Sequence, residues 1–240
     1  MKLGNCKLCQ EDKQLMHSHI LPEFFYEPTY DEQHKFISIS SHPLQKTKPF
    51  QKGFREYLLC EKCEGQFGSY ESYAATILRK TGDKFDPNDR VVKIPNFDYR
   101  GFKLFGLSVI WRCHISRLHF FSAVKLGSHA EKIRKLLVTE NPGKPSEYCF
   151  AVIKIVGSKR ADTVIHSPEK IRFQEHNGYF LPAYGYEWIF VTSSHSERLP
   201  KDYPFVGMKP DLEILLYPQS DKEFLNEMRR RMGKRLIDKA

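Results

Sequence analysis

Between residues 60 and 80 the apolar side chains Phe67, Tyr70, Tyr73, Ala74 and Ile77 recur at helical spacing, with Gly82 just beyond. That is the stripe of a helix with one face on a core, followed by a stop signal. Residues 102–111 are apolar on most of the helical circumference, and the pattern continues through Ile115 and Leu118; a helix of this kind is buried. Residues 128–138 predict a second, amphipathic helix that ends at Asn141-Pro142-Gly143. Beyond it the pattern becomes strand-like. Residues 148–156, 171–173, 179–181, 187–192 and 212–217 are divided by Gly, Pro and Ser clusters, which predicts an antiparallel sheet of about four or five strands. A closing helix is expected over residues 221–238, capped by Asp221, with Phe224, Leu225, Met228, Met232 and Leu236 as its stripe. Nearer the start, residues 36–40 alternate like a short strand, and Pro43, Pro49 and Gly53 break the next segment.

These elements describe an α+β protein. The run Thr81-Gly82-Asp83-Lys84-Phe85-Asp86-Pro87-Asn88-Asp89 is rich in turn formers and divides the chain into residues 1–85 and 86–240. Helix 102–111 is interrupted by Lys103 and flanked by Arg100 and Arg112, so it lacks the roughly 20 apolar residues of a membrane span. No apolar leader core follows Met1, and a reducing, cytoplasmic setting is expected. With 240 residues, a formal net charge of +9 and a pI near 9.2, the chain is long enough for a substantial core and attracts polyanions.

Two matched cysteine pairs carry the clearest chemistry: Cys6-Lys7-Leu8-Cys9 and Cys60-Glu61-Lys62-Cys63. Each C-x2-C turn can present two thiolates to one tetrahedral zinc, and two turns close the shell, leaving no position for substrate. A structural zinc is expected, with buried thiols or disulfides as the alternative. Cys113 and Cys149 have no spaced partner and read as buried thiols. The insert of residues 10–59 excludes a compact zinc finger.

Residues 1–80 read as a cysteine turn, an extended segment, a loop and a helix whose first turn carries two more cysteines, which is the order of a treble clef. Through Cys6 and Cys9, His19-Ile20-Leu21-Pro22, and Cys60 and Cys63, this third of the chain resembles the HNH endonuclease superfamily, in the branch where a four-cysteine zinc braces a ββα-metal site. The resemblance implies that His19 is the general base for water attacking a phosphodiester, with magnesium or manganese at the leaving oxygen. It implies DNA as the partner and a nuclease that serves bacterial defence. The chain departs from the family at the metal, with Ser18 where an acidic residue or histidine is common and Glu64 where Asn or His often stands. Glu64 and Glu71, seven residues apart on nearly one helix face, are candidate replacement ligands. His17 shares a strand face with His19 and is a further candidate. The other reading is a zinc-stabilised module that binds nucleic acid or a protein without cutting it. Arg229, Arg230 and Arg231 form a candidate phosphate grip on the last helix. The chain has no phosphate loop, nucleophile elbow or His-Glu-x-x-His helix, and His114 and His119 read as core or boundary residues.

Overall fold

The computed structural model describes residues 2–33, 35–37, 49–82, 89–193, 199–200 and 202–232. Strand β1 (Lys2–Asn5) and β2 (Asp12–His19) form an antiparallel hairpin whose turn holds Cys6 and Cys9. A short helix α1 (Glu23–Tyr26) comes next, then the β3 (Lys35–Ile37) and β4 (Pro49–Gln51) pair. Strand β5 (Arg55–Cys60) pairs with β2 to complete the order β1-β2-β5. It runs straight into helix α2 (Glu61–Gly82), so Cys60 ends the strand and only Cys63 lies in the helix's first turn. The strand expected over residues 36–40 is realised as far as Ile37; residues 38–40 lie outside the described residues, as do 83–88, which hold the expected boundary, and 233–238, where the last helix is expected to continue.

Past β6 (Val91–Ile94), helix α3 (Tyr99–Ile115) is buried from Gly101 to Cys113, as its all-round apolarity predicts. Helix α4 (His129–Val138) keeps only Ile133 and Leu137 fully inside, in line with its amphipathic pattern. Strand β7 (Phe150–Val156), short helix α5 (Lys159–Asp162), and strands β8 (Glu169–Phe173), β9 (His176–Ala183), β10 (Tyr186–Val191) and β11 (Leu212–Pro218) lead to helix α6 (Asp221–Met232). The larger sheet has six strands, in the order β6-β11-β7-β10-β9-β8. Two features differ from expectation. The four-residue β6 is an additional edge strand, and β11 lies parallel to β7 while the other neighbours are antiparallel. Strand β11 reaches the sheet by a long connection after β10, and such a connection permits the parallel pairing that a tight hairpin forbids.

One hydrophobic core runs through both parts of the chain. Phe25 of α1 packs tilted against Trp188 of β10 at 5.3 Å and meets Phe105 of α3 at 6.2 Å, while Phe67 of α2 meets Trp111 of α3 edge-on at 6.2 Å. Burial of each such ring contributes roughly 1.5–3 kcal/mol. Gly106 lets α3 close on the sheet, since a side chain there would collide with the Phe150 ring. Polar ties add to the junction: Gln66 Nε2 donates to the Leu137 carbonyl at 2.7 Å, and Arg134 Nη1 donates to the Leu8 carbonyl at 2.6 Å. No helix among the described residues is long and apolar enough to cross a membrane.

Candidate metal centre and histidine site

The β1–β2 turn and the β5–α2 junction bring Cys6, Cys9, Cys60 and Cys63 together, with every sulfur within 4.8 Å of the others. Cys9 Sγ lies 4.0 Å from Cys60 Sγ, and the Cys60 amide donates to Cys6 Sγ at 3.3 Å. Four thiolates about 2.3 Å from one ion stand roughly 3.8 Å apart, so the donors fit a tetrahedral zinc. Burial works against the Cys6 thiolate, yet amide donors from Cys60, Cys9 and Leu8 bring its pKa below the ordinary thiol value. Cys113 and Cys149 are buried, unpaired thiols, as expected, and burial pushes each up to about 12.

Directly along β2 from this frame, Ser18 is fully buried between the more exposed His17 and His19, as the two-residue strand period requires. Ser18 shares its surroundings with Glu64 of α2. Burial raises the Glu64 pKa above the usual carboxylate range; Ser18 and Arg112 oppose the rise and Glu71 adds to it. Glu64 Oε2 is buried without a hydrogen-bond partner. Ser18 of β2 and Glu64 of α2 therefore face one another.

The occupant between these elements is a side chain from α3. Arg112, only 2% exposed, sets Nη2 2.5 Å from Glu71 Oε1 and donates from Nη1 to the His19 carbonyl at 2.9 Å. Its guanidinium also lies 5.4 Å from the centre of the Phe67 ring. Glu71 is thus committed to an ion pair, and Ser18 contributes no carboxylate. Among the described residues, the cysteine tetrad is the only group of three or more His, Cys, Asp or Glu side chains close enough to hold a metal. Among the described residues, no three of Glu64, Glu71, His17 and His19 lie close enough together to form a magnesium or manganese cage. The physical reason is that a buried guanidinium already neutralises the acidic face.

His19 instead joins a cluster that sequence reasoning missed. Its Nε2 contacts Glu23 Oε2 of α1, and Arg55 Nε of β5 approaches the same nitrogen at 2.8 Å. Tyr30 Oη donates to the other oxygen of Glu23 at 2.8 Å, and Arg55 Nε has a second acceptor in the Lys52 carbonyl at 2.9 Å. A ring nitrogen either carries a proton or offers a lone pair. The Glu23 contact requires Nε2–H and leaves Nδ1 as the free base; the Arg55 contact requires the opposite tautomer. Burial, reinforced by Arg55 and opposed by Glu23, lowers the His19 pKa to about 4, so the ring is neutral at pH 7. The signal for Glu23 was available in the sequence, because it lies four residues beyond His19, just after Pro22.

His17 lies apart from this cluster, stacked at 4.9 Å on the exposed ring of Tyr57. On α6, Arg230 is exposed and donates to Glu227 at 2.8 Å; the side chains of Arg229 and Arg231 lie outside the described residues. His114 is half-buried and accepts from the Leu126 amide at 3.3 Å, a boundary role. No protein-family model, curated protein or solved structure matches this chain.

Proposed function

We propose that this is a zinc-braced module of HNH-like outline that binds nucleic acid without cutting it. The observation that carries this reading is the Arg112–Glu71 pair, which puts a fixed protein cation on the acidic face where hydrolysis would need an exchangeable divalent ion. At 2% side-chain exposure Arg112 cannot reach a phosphate in the ion's place. The net charge of +9 supplies the long-range attraction. Six free cysteines suit a reducing, cytoplasmic setting.

A second reading, a phosphodiesterase acting on DNA and serving bacterial defence, is favoured by the neutral His19 imidazole held by Glu23 and by the unpartnered Glu64 oxygen. In that reading His19 takes the proton of the attacking water and Glu23 fixes the ring, while magnesium or manganese would supply electrophilic help.

The test uses full-length, zinc-loaded protein with labelled single- and double-stranded DNA and RNA, with and without magnesium or manganese. Salt-sensitive binding with intact substrate is expected. Cleavage that disappears in His19→Ala, with zinc content and binding retained, would replace the first reading with the second.

A further inference from the structure

Beside the histidine cluster, a cleft of about 410 Å³ opens where the β1-β2-β5 sheet meets the end of α3. Among its lining residues, Lys2, Lys7, Arg55 and Arg117 are basic, and His17 and Tyr57 present their stacked rings. Lys2, Lys7 and Arg117 are exposed, and none is in an ion pair among the described residues. Among the described residues the cleft has one acidic side chain, Glu56, whose carboxylate accepts from Ser116 Oγ at 2.5 Å and from the Arg117 amide at 3.0 Å. Tyr57 is 42% exposed, a large aromatic surface left in water, and Lys2 Nζ stands 5.5 Å from its ring centre.

We propose that this cleft is a binding track for single-stranded nucleic acid, in which a base stacks on the His17–Tyr57 platform and Lys2, Lys7 and Arg117 follow the phosphates. The inference rests on the binding reading above and names the surface and the strand form. Stacking on exposed rings requires an unpaired base, because a duplex buries its base faces, and unpaired cations around an aromatic platform are the combination that single strands select. Arg55 joins the track to the site, since it lines the cleft and also touches His19.

The experiment measures fluorescence anisotropy of a labelled oligothymidine and of a duplex control against zinc-loaded full-length protein, across a salt series. Wild type should prefer the single strand. Tyr57→Leu should weaken single-strand binding by about 5- to 150-fold, and Tyr57→Phe should retain it. Changing Lys2, Lys7 and Arg117 together to Ala should flatten the logarithmic salt dependence by about 2, from roughly 0.7 per phosphate contact. Unchanged zinc content and circular dichroism establish that each variant is folded. If wild type binds the single strand while the cleft variants keep its affinity and slope, the cleft is refuted and the binding reading survives. Affinity lost only when Arg229, Arg230 and Arg231 are neutralised has the same meaning and moves the contact to α6. Preference for the duplex overturns the strand assignment. No binding of any nucleic acid by folded wild type overturns both readings.

Discussion

Replacing Arg112 by Met tests whether the guanidinium holds the junction between α2, α3 and the end of β2. The side chain is 2% exposed, and its Glu71 partner is 19% exposed. Removing one member of a buried ion pair typically costs about 3–5 kcal/mol, because the remaining charge is left without compensation. Partial access of water to Glu71 places the expected value toward the lower end. Loss of the donor to the His19 carbonyl adds about 1 kcal/mol, so Arg112→Met should destabilise by about 3–4 kcal/mol, a large share of a domain's total. Changing Glu71→Leu in the same chain removes the orphaned charge and should recover about 2 kcal/mol, which a double-mutant cycle reads as coupling. The assay is urea unfolding of zinc-loaded protein followed by the fluorescence of Trp111 and Trp188, both buried. A corollary concerns metal: once the guanidinium is gone, Glu64 and Glu71 form an uncompensated acidic pair, and manganese should stabilise Arg112→Met while leaving wild type unaffected. A single-variant cost below about 1 kcal/mol, or coupling near zero, would refute the claim that Arg112 neutralises this face.

Two more outcomes are expected elsewhere in the molecule. Purified protein should carry zinc bound by the cysteine tetrad; chelation should expose the β1–β2 hairpin and the start of α2 to proteolysis, and Cys63→Ser should do the same, because site formation and local folding are coupled. Metal analysis of chelator-free protein that finds no zinc would sink this. Lys103, fully buried, donates to the Glu147 carbonyl at 2.8 Å and the Tyr148 carbonyl at 3.0 Å, and burial lowers its pKa from 10.5 to about 8. Between pH 8 and 10 the unfolded chain therefore holds a proton that the folded chain has released, and Lys103 contributes a rise in stability of roughly 2–3 kcal/mol, which the buried Cys113 and Cys149 thiols, kept protonated in the folded chain, offset above pH 9. Above that window the buried tyrosines, whose pKa values burial raises, reverse the trend. Wild type should therefore gain roughly 2–3 kcal/mol on Lys103→Met between pH 8 and 10; a difference between the two that does not change with pH would refute the assignment.

Short-range pattern in the chain was enough for the four clustered cysteines and most of the secondary structure. The C-x2-C spacing picked out the four cysteines that cluster because two thiolates on one turn need only local geometry, and the 3.6-residue and two-residue periods located α2, α3, α4 and most of the larger sheet's strands because burial acts on neighbouring positions alike. Strand alternation likewise indicated that His17 and His19 share a face opposite Ser18. Contacts between distant segments set the rest. Arg112 reaches a carbonyl 93 positions earlier in the chain, and Arg55 reaches the ring of His19 across 36. The parallel pairing of β11 with β7 depends on a long connection, and the basic cleft draws residues from β1, β2, β5 and the end of α3. None of these contacts leaves a local period, because a charge reads as a surface residue until a distant element covers it. Arg112 flanks the apolar helix as if marking its solvent end, and only the packing of α3 against α2 and the end of β2 makes it a buried counter-ion.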